Sequence, residues 1–358
     1  MTDKPALHWS DLPAPVLAQL RAGAVIPAHP LALDAKHQFD RRSQRALTRY
    51  YIDAGSGGLA VGVHSTQFAI REAGLYRPVL ELAAETAAAW TKKPLVMIAG
   101  LVGRTEQAAH EAQTARAIGY HAGMLSLAAM HGASEDALIE HCTLVAREMP
   151  LIGFYLQTAV GGITLSRAFW TRFAAIDNVI AIKVAPFNRY RTLDVFFGVA
   201  AARAEQRITL YTGNDDHIVL DLLTPMEIRA GGRSLTMRFR GGLLGHWSVW
   251  TQKAVQLLER IHGAIADHRL LTPQLLALDA MVSDTNAVLF DVAHDFRGCI
   301  PGCHEVLRRQ GLLQSINCLD PHETLSPGQA AEIDRLYAVY PELNDDAFVA
   351  ANRDRWLA

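Results

Sequence analysis

Short apolar segments alternate with amphipathic segments along most of the chain. Eight segments are apolar and often β-branched, which predicts buried strands. They cover residues 24–28, 58–63, 94–103, 120–128, 150–159, 178–187, 208–213 and 238–247. Between several of them, polar and apolar residues follow the 3.6-residue period of a helix. The units repeat at roughly 25 to 35 residues, which is typical of strand–helix repeats around a parallel sheet.

Cap residues support this alternation. Helices are predicted over residues 40–55, 76–92, 105–119, 134–149 and 166–176. Thr105, Ser134 and Ser166 stand where an N-cap is expected.

Eight units of this kind close a (β/α)8 TIM barrel. A doubly wound open sheet is the alternative, but no Gly-x-Gly-x-x-Gly follows the first strand and the units do not split into halves.

The pattern becomes entirely helical after Trp247. We therefore predict a catalytic barrel over residues 20–268 and a C-terminal helical region, residues 269–358, packed on the barrel. The sequence leaves open whether these last helices only pack on the barrel or also cover a site.

Composition narrows the classes of partner. Hydrophobic residues make up 50% and charged residues 20% of the chain, which is ordinary for a globular protein. A formal net charge of −2 gives no general field for nucleic acid or an anionic membrane, so we expect neither partner.

No window of ~18 apolar residues and no signal-peptide pattern occurs, which favours a cytoplasmic protein. The four cysteines are too few and too scattered for a disulfide scaffold, and Cys299, Cys303 and His304 lack a second ligand pair for zinc.

One lysine is unusual. The chain has 28 arginines but six lysines, and Lys183 lies in the apolar segment 178–187. Burial disfavours the ammonium form, and a neutral amine is a nucleophile that forms imines with carbonyl compounds. Lys183 is therefore the candidate catalytic residue. A lysine whose amine reaches solvent or pairs with a carboxylate is the structural alternative.

Two further segments place polar groups at predicted strand ends. Tyr155 ends the fifth strand, and neighbouring strands lie close enough for its phenol to contact Lys183 and relay protons. The loop after the second strand contains His64, Ser65 and Thr66, whose hydroxyl and N–H groups suit a carboxylate.

These residues resemble those of a known superfamily. The segments GLAVGVHST, GFY, IAIKVAPFN and YTGNDD, followed by a glycine-rich eighth strand, are similar to the dihydrodipicolinate synthase and N-acetylneuraminate lyase superfamily of class I aldolases. The resemblance covers roughly residues 20 to 315. It implies a lysine Schiff base with a 2-oxo acid, usually pyruvate, with no metal and no other cofactor. It also implies a small-molecule carbonyl substrate and a homo-oligomer, a dimer or tetramer.

The resemblance also assigns residues. Lys183 would form the imine and Tyr155 would relay protons. The expected substrate-binding residues are His64, Ser65, Thr66, Asn214, Asp215, Gly245 and His246.

Two segments depart from the pattern of the family. The second-strand loop reads Gly-Val-His-Ser-Thr-Gln over 62–67 where Gly-Thr-Thr-Gly-Glu is usual, and Tyr155 is followed by Leu-Gln-Thr instead of Asn-x-Pro. We therefore expect a different acceptor or a different step after the imine.

Three other functions stay open at this stage. Dehydration or decarboxylation could use the same imine. A metal-dependent barrel lyase or hydrolase could draw ligands from histidines near strand ends, namely His29, His64, His131, His217 and His246. A barrel that binds a carbonyl ligand without turnover is the third.

Overall fold

The computed structural model describes residues 5–269 and 272–358. Its main sheet has eight parallel strands: β1 (Val25–Pro27), β2 (Gly58–Val61), β3 (Val96–Leu101), β4 (Ala122–Leu125), β5 (Leu151–Leu156), β6 (Val179–Ala185), β7 (Thr209–Thr212) and, after the hairpin strands β8 and β9 described below, β10 (Gly241–Leu244). The order β1-β10-β7-β6-β5-β4-β3-β2 runs around the sheet. A parallel bridge between Ala28 and Ala60 joins its two ends. The sheet is therefore a nearly closed barrel, which confirms the predicted (β/α)8 fold.

Helices alternate with the strands, and further helices follow the last strand. They are α1 (Ala14–Ala22), α2 (Arg41–Asp53), α3 (Tyr76–Trp90), α4 (Thr105–Ile118), α5 (Glu135–Val145), α6 (Arg167–Ala175), α7 (Arg189–Ala201), α8 (Ile218–Leu223), α9 (Thr251–Ala266), α10 (Pro273–Leu289), α11 (Cys299–Arg309), α12 (Gln329–Val339) and α13 (Asp346–Leu357). The Ser134 and Ser166 side chains accept bonds from the N–H groups of Ala137 and Phe169, as caps do. The prediction that Thr105 caps α4 is wrong, because Thr105 is the first helical residue and its hydroxyl contacts His141 Nδ1 at 2.9 Å.

An antiparallel hairpin that we did not predict lies between β7 and β10. It consists of β8 (Met226–Ala230) and β9 (Arg233–Met237). Gly231 and Gly232 connect the two strands with φ angles of 56° and 74°, a conformation that glycine adopts without strain. The glycine pair between two alternating segments is the signal that could have revealed it.

Side chains on the barrel strands alternate between the barrel interior and the surrounding helices. Ile152, Phe154 and Tyr211 belong to the interior cluster, which α1 extends with Val16 and Leu20. Tyr155 belongs instead to the outer cluster packed under the helices. Consecutive residues of β5 therefore face opposite sides of the sheet.

Two carboxylates, the buried Asp345 and the half-buried Asp53, tie the C-terminal helices to the barrel. Asp345 accepts hydrogen bonds from the Tyr50 hydroxyl at 2.7 Å, the Gln252 N–H at 3.1 Å and Gln310 Nε2 at 2.8 Å. Asp53 accepts a bond from Trp356 Nε1 at 2.6 Å. The C-terminal helices thus pack on the barrel, while the boundary at residue 269 stays a prediction.

Candidate active site

A pocket opens inside the barrel at the carboxyl ends of the strands. It encloses about 730 Å³ of space, including its opening to solvent. Lys183 from β6 lies in its wall with 7% of its surface exposed. α11 closes another side of the pocket with Cys299, Ile300, Cys303 and His304. The C-terminal region therefore covers the site as well as packing on the barrel.

The strand register determines what faces Lys183. Lys183 is opposite Phe154 of β5 on one side and Tyr211 of β7 on the other. Its Nζ lies 4.5 Å from the centre of the Phe154 ring. A Cβ at Gly213 would lie 2.7 Å from Lys183 Cε, so only glycine leaves room for the lysine side chain there. The site therefore depends on residues of three adjacent strands and on Gly213, which follows β7.

Lys183 and Asp215 form a buried pair of opposite charges. Burial lowers the pKa of Lys183 to about 8, and the Asp215 carboxylate and the Cys299 sulfur oppose this change. Burial raises the pKa of Asp215 to about 7, although the charge of Lys183 opposes it. The N–H of His246 donates to Asp215 Oδ1 at 3.0 Å and fixes the carboxylate. Both groups can therefore gain or lose a proton near neutral pH.

The loop after β2 contributes His64 and Ser65 to the pocket. Burial and the charge of Lys183 lower the pKa of His64 to about 4, so its imidazole is neutral at pH 7. Thr66 has a different position from the one we expected. Its hydroxyl donates to the carbonyl of His29 at 2.7 Å and accepts bonds from the N–H groups of Gly62 and Val63. Thr66 is thus occupied in holding the loop and does not line the pocket.

The prediction that Tyr155 contacts Lys183 is wrong. The Tyr155 hydroxyl donates to the carbonyl of Leu165 at 3.2 Å and accepts from its N–H at 3.3 Å. Its ring packs against Trp170 with centroids 5.0 Å apart. Because side chains alternate along β5, the residue that faces Lys183 is Phe154, and the phenol of Tyr155 lies on the helix side of the sheet.

Asn214 supports the site without lining the pocket. Its Oδ1 accepts the N–H of Phe187 at 3.0 Å, and its Nδ2 donates to Asp221 Oδ2 at 2.9 Å and to Thr192 Oγ1 at 3.2 Å. With its side chain bonded in this way, Asn214 positions the loop after β6. Asn214 is not among the residues that line the pocket, and its contact with substrate stays a prediction.

Gly245 and His246 differ in what they face. Gly245 lines the pocket, and a Cβ there would lie 2.8 Å from Phe290 Cζ. The His246 side chain lines a separate cavity beside Trp247 and Trp250, and burial lowers its pKa to about 4. His246 therefore acts on the site through its N–H bond to Asp215.

Several lining residues were missed or misread from the sequence. Phe154, Phe187, Phe290 and Phe296 supply aromatic walls. Cys299, Cys303 and His304 were noted as an incomplete zinc pattern, but they lie on one face of α11 toward the pocket. The i, i+4 spacing of the cysteines was the available signal for a shared helix face.

The histidines of the metal alternative lie in separate surroundings. His29 Nε2 contacts Thr48 Oγ1 at 2.9 Å, and His217 Nδ1 lies 3.6 Å from Asp279 Oδ2. Among residues 5–269 and 272–358, no three His, Cys, Asp or Glu side chains are grouped to hold a metal ion.

Within the same residues, no helix has the length and apolar character needed to cross a bilayer.

Comparison with known proteins agrees with this fold. The sequence model of the Dihydrodipicolinate synthetase family matches residues 21–233. A 4-hydroxy-tetrahydrodipicolinate synthase of Lachnoclostridium phytofermentans is 29% identical over 133 residues, which cover 36% of this chain and 44% of that protein. The matched segment thus spans less than half of that relative.

Solved structures share the fold at low sequence identity. A dihydrodipicolinate synthase from Acinetobacter baumannii complexed with pyruvate has a TM-score of 0.71 and 18% identity, covering 88% of this chain and 98% of that one. An N-acetylneuraminate lyase from Fusobacterium nucleatum has a TM-score of 0.70 and 15% identity, covering 90% of this chain and 99% of that one.

The barrel and its buried lysine define a class I aldolase scaffold. The chain belongs to the Dihydrodipicolinate synthetase family. Members of that family are carbon–carbon lyases that use a lysine Schiff base.

Proposed function

We propose that this protein is a Schiff-base-forming lyase or aldolase that acts on a 2-oxo acid. The observation that carries this proposal is the buried amine of Lys183, which faces a pocket at the carboxyl ends of the barrel strands beside Asp215. A pKa of about 8 leaves roughly a tenth of the amine neutral at pH 7, and this fraction is the nucleophile. Pyruvate, present in the complex of the Acinetobacter baumannii relative, is the first donor to test.

The chemistry follows from these groups. The amine of Lys183 attacks the carbonyl carbon of the 2-oxo acid, a C–N bond forms and water leaves. The resulting protonated imine withdraws electrons, so the adjacent carbon loses a proton and an enamine forms. The enamine then forms a C–C bond with an aldehyde, and hydrolysis of the imine releases the product. The reverse sequence cleaves the same bond.

We assign the proton transfers to Asp215. Its carboxyl lines the pocket near Lys183, and its raised pKa lets it accept and return a proton near neutral pH. His64 and Ser65, which also line the pocket, are the proposed contacts of the substrate carboxylate. Tyr155 has no part in this scheme because its phenol is bonded outside the pocket.

Borohydride reduction tests the imine directly. Intact-mass spectrometry after reduction with a panel of 2-oxo acids should show a covalent adduct on the wild type and none on Lys183→Met. Lys253→Met is the matched control, because Lys253 lies on α9 and does not line this pocket. An adduct that persists in Lys183→Met, or no adduct with any 2-oxo acid on the folded wild type, would overturn the proposal.

The assembly state is a further part of the proposal. We propose that the enzyme forms a homo-oligomer, a dimer or tetramer, because the family resemblance implies assembly. Sedimentation of the purified protein would measure the oligomeric state.

A further inference from the structure

We propose that the aldehyde joined to the enamine, or released in the reverse reaction, is uncharged, flat and apolar, about the size of one aromatic ring, with a hydroxyl group that His304 binds. This inference rests on the proposed function, because it concerns the second substrate of the same site.

The charges in the pocket exclude an anionic aldehyde. Among the described residues that line the pocket, Lys183 and Asp215 are the ones that carry a formal charge at pH 7, and no arginine lines it. Both are used by the imine and its proton transfers. Burial lowers the pKa values of His64 and His304 to about 4, so neither offers a cation. A carboxylate or phosphate on the aldehyde would be buried without a partner, which is costly.

Aromatic rings favour a flat apolar group. Phe154 and Phe290 lie in the pocket wall, while Phe187 and Phe296 are half-buried at its opening. The rings of Phe187 and Phe296 meet edge to face with centroids 6.2 Å apart. Aromatic rings prefer edge-to-face or offset-stacked contacts with one another, so these walls suit another aromatic ring.

Two residues at the opening of the pocket have an unusual backbone conformation. Phe187 and Phe296 have φ angles of 48° and 65°, a left-handed conformation that bulky residues rarely adopt. The N–H of Phe187 donates to Asn214 Oδ1 at 3.0 Å, and that of Phe296 donates to the carbonyl of Asp291 at 3.1 Å. Strained residues persist where their surroundings hold them, and they concentrate at ligand sites. The main chain that carries the two rings is therefore held in place at the pocket opening.

His304 supplies a single hydrogen-bond acceptor. Its Nδ1 lies 3.2 Å from the carbonyl of Ile316, and since a carbonyl only accepts, Nδ1 must carry the proton. In the neutral ring Nε2 is then an acceptor. This atom is fully buried and has no hydrogen-bond partner in the described part of the chain, although its residue lines the pocket. A hydroxyl on the aldehyde would satisfy it.

The reaction with such an aldehyde is balanced. The enamine carbon forms a bond to the aldehyde carbon, the C=O electron pair moves to oxygen, and the resulting alkoxide takes one proton from the protonated Asp215. Water then hydrolyses the imine and frees Lys183. No oxidant or reductant is needed.

An aldehyde panel tests the substrate class. With pyruvate as donor, liquid chromatography with mass detection should measure aldol product from benzaldehyde, the hydroxybenzaldehydes, glyceraldehyde and succinic semialdehyde. We expect kcat/KM for the best aromatic aldehyde to exceed that for the other two by at least about tenfold. Equal or better use of succinic semialdehyde or glyceraldehyde would overturn the inference. A trapped pyruvate imine without any aromatic product would also overturn it and leave the proposed function intact, whereas no imine with any 2-oxo acid would overturn both.

A His304 variant tests the polar contact. In His304→Phe, the preference for the best hydroxybenzaldehyde over benzaldehyde should fall by about tenfold, the value of one hydrogen bond. The borohydride-trapped pyruvate adduct should still form in this variant, and its presence separates a change of preference from loss of folding. His110→Phe, at an exposed position of α4, should keep the wild-type preference. An unchanged preference in His304→Phe would show that the histidine does not bind the hydroxyl.

Discussion

The Nζ of Lys183 lies 4.5 Å from the centre of the Phe154 ring, on the face that a cation favours. The ring can stabilise the ammonium form, but it has no proton to give or accept. The position of β5 that faces the lysine therefore lacks the hydroxyl that the family resemblance led us to expect. Asp215 is the buried acid that remains beside the amine.

Replacing Asp215 with asparagine should separate imine formation from turnover. The negative charge of Asp215 raises the pKa of Lys183, so its removal should lower that pKa below its present value of about 8. The pH at half-maximal borohydride trapping should move down, because the neutral amine then appears at lower pH. Turnover should fall by about 100-fold through loss of the acid–base group. Asp216→Asn, at an exposed neighbour, is the control, and normal turnover in Asp215→Asn would refute the assignment.

Tyr155→Phe should leave catalysis almost unchanged. The phenol lies outside the pocket, so kcat and KM for the aldol reaction should stay within about twofold. The N–H and carbonyl of Leu165 would lose their partner, which should lower the free energy of unfolding by about 1 kcal/mol in urea titration. A large loss of kcat with little loss of stability would instead restore Tyr155 to the mechanism.

Gly213→Ala should displace the catalytic amine. The new Cβ would lie 2.7 Å from Lys183 Cε and 2.8 Å from Ala185 Cβ, so the lysine side chain must move. We expect the yield of trapped pyruvate adduct to drop at least about tenfold and stability to fall by about 1–3 kcal/mol. Gly263→Ala is the matched control, since a Cβ there meets nothing within 4 Å and α9 should gain stability. Equal adduct yields in the two variants would contradict this view of the site.

The sequence revealed the barrel and the lysine because both leave local signals. Periodicity marks the strands, and Lys183 stands out as a lysine in an apolar strand of an arginine-rich chain. The orientation of Tyr155 left no such signal. Phe154 and Tyr155 are adjacent aromatic residues, and the register of β5 against β6 shifts between Leu151 and Ile152. A shift of one residue exchanges the two faces of a strand, so sequence position alone did not decide which ring enters the barrel.

The sequence also does not show that α11 covers the pocket, but the reason is different. His304 follows Cys303 in a helix whose described residues are almost all buried, so periodicity did not reveal which face meets the barrel. Its role emerges only from the tertiary packing. The buried carboxylate Asp345, which binds Tyr50 of α2 and Gln310 at the end of α11, belongs to the same long-range set of contacts.

Asp345→Ala should therefore weaken both the fold and the site. The change leaves the Tyr50 hydroxyl and the Gln252 N–H without this acceptor, and we expect a loss of about 2–4 kcal/mol in the free energy of unfolding. Because Gln310 also loses a contact, the end of α11 should loosen and KM for the aldehyde should rise more than KM for the 2-oxo acid. Urea titration and two-substrate kinetics measure these effects, with the exposed Asp354→Ala as control. Wild-type stability in Asp345→Ala would mean that this carboxylate does not hold the C-terminal helices on the barrel.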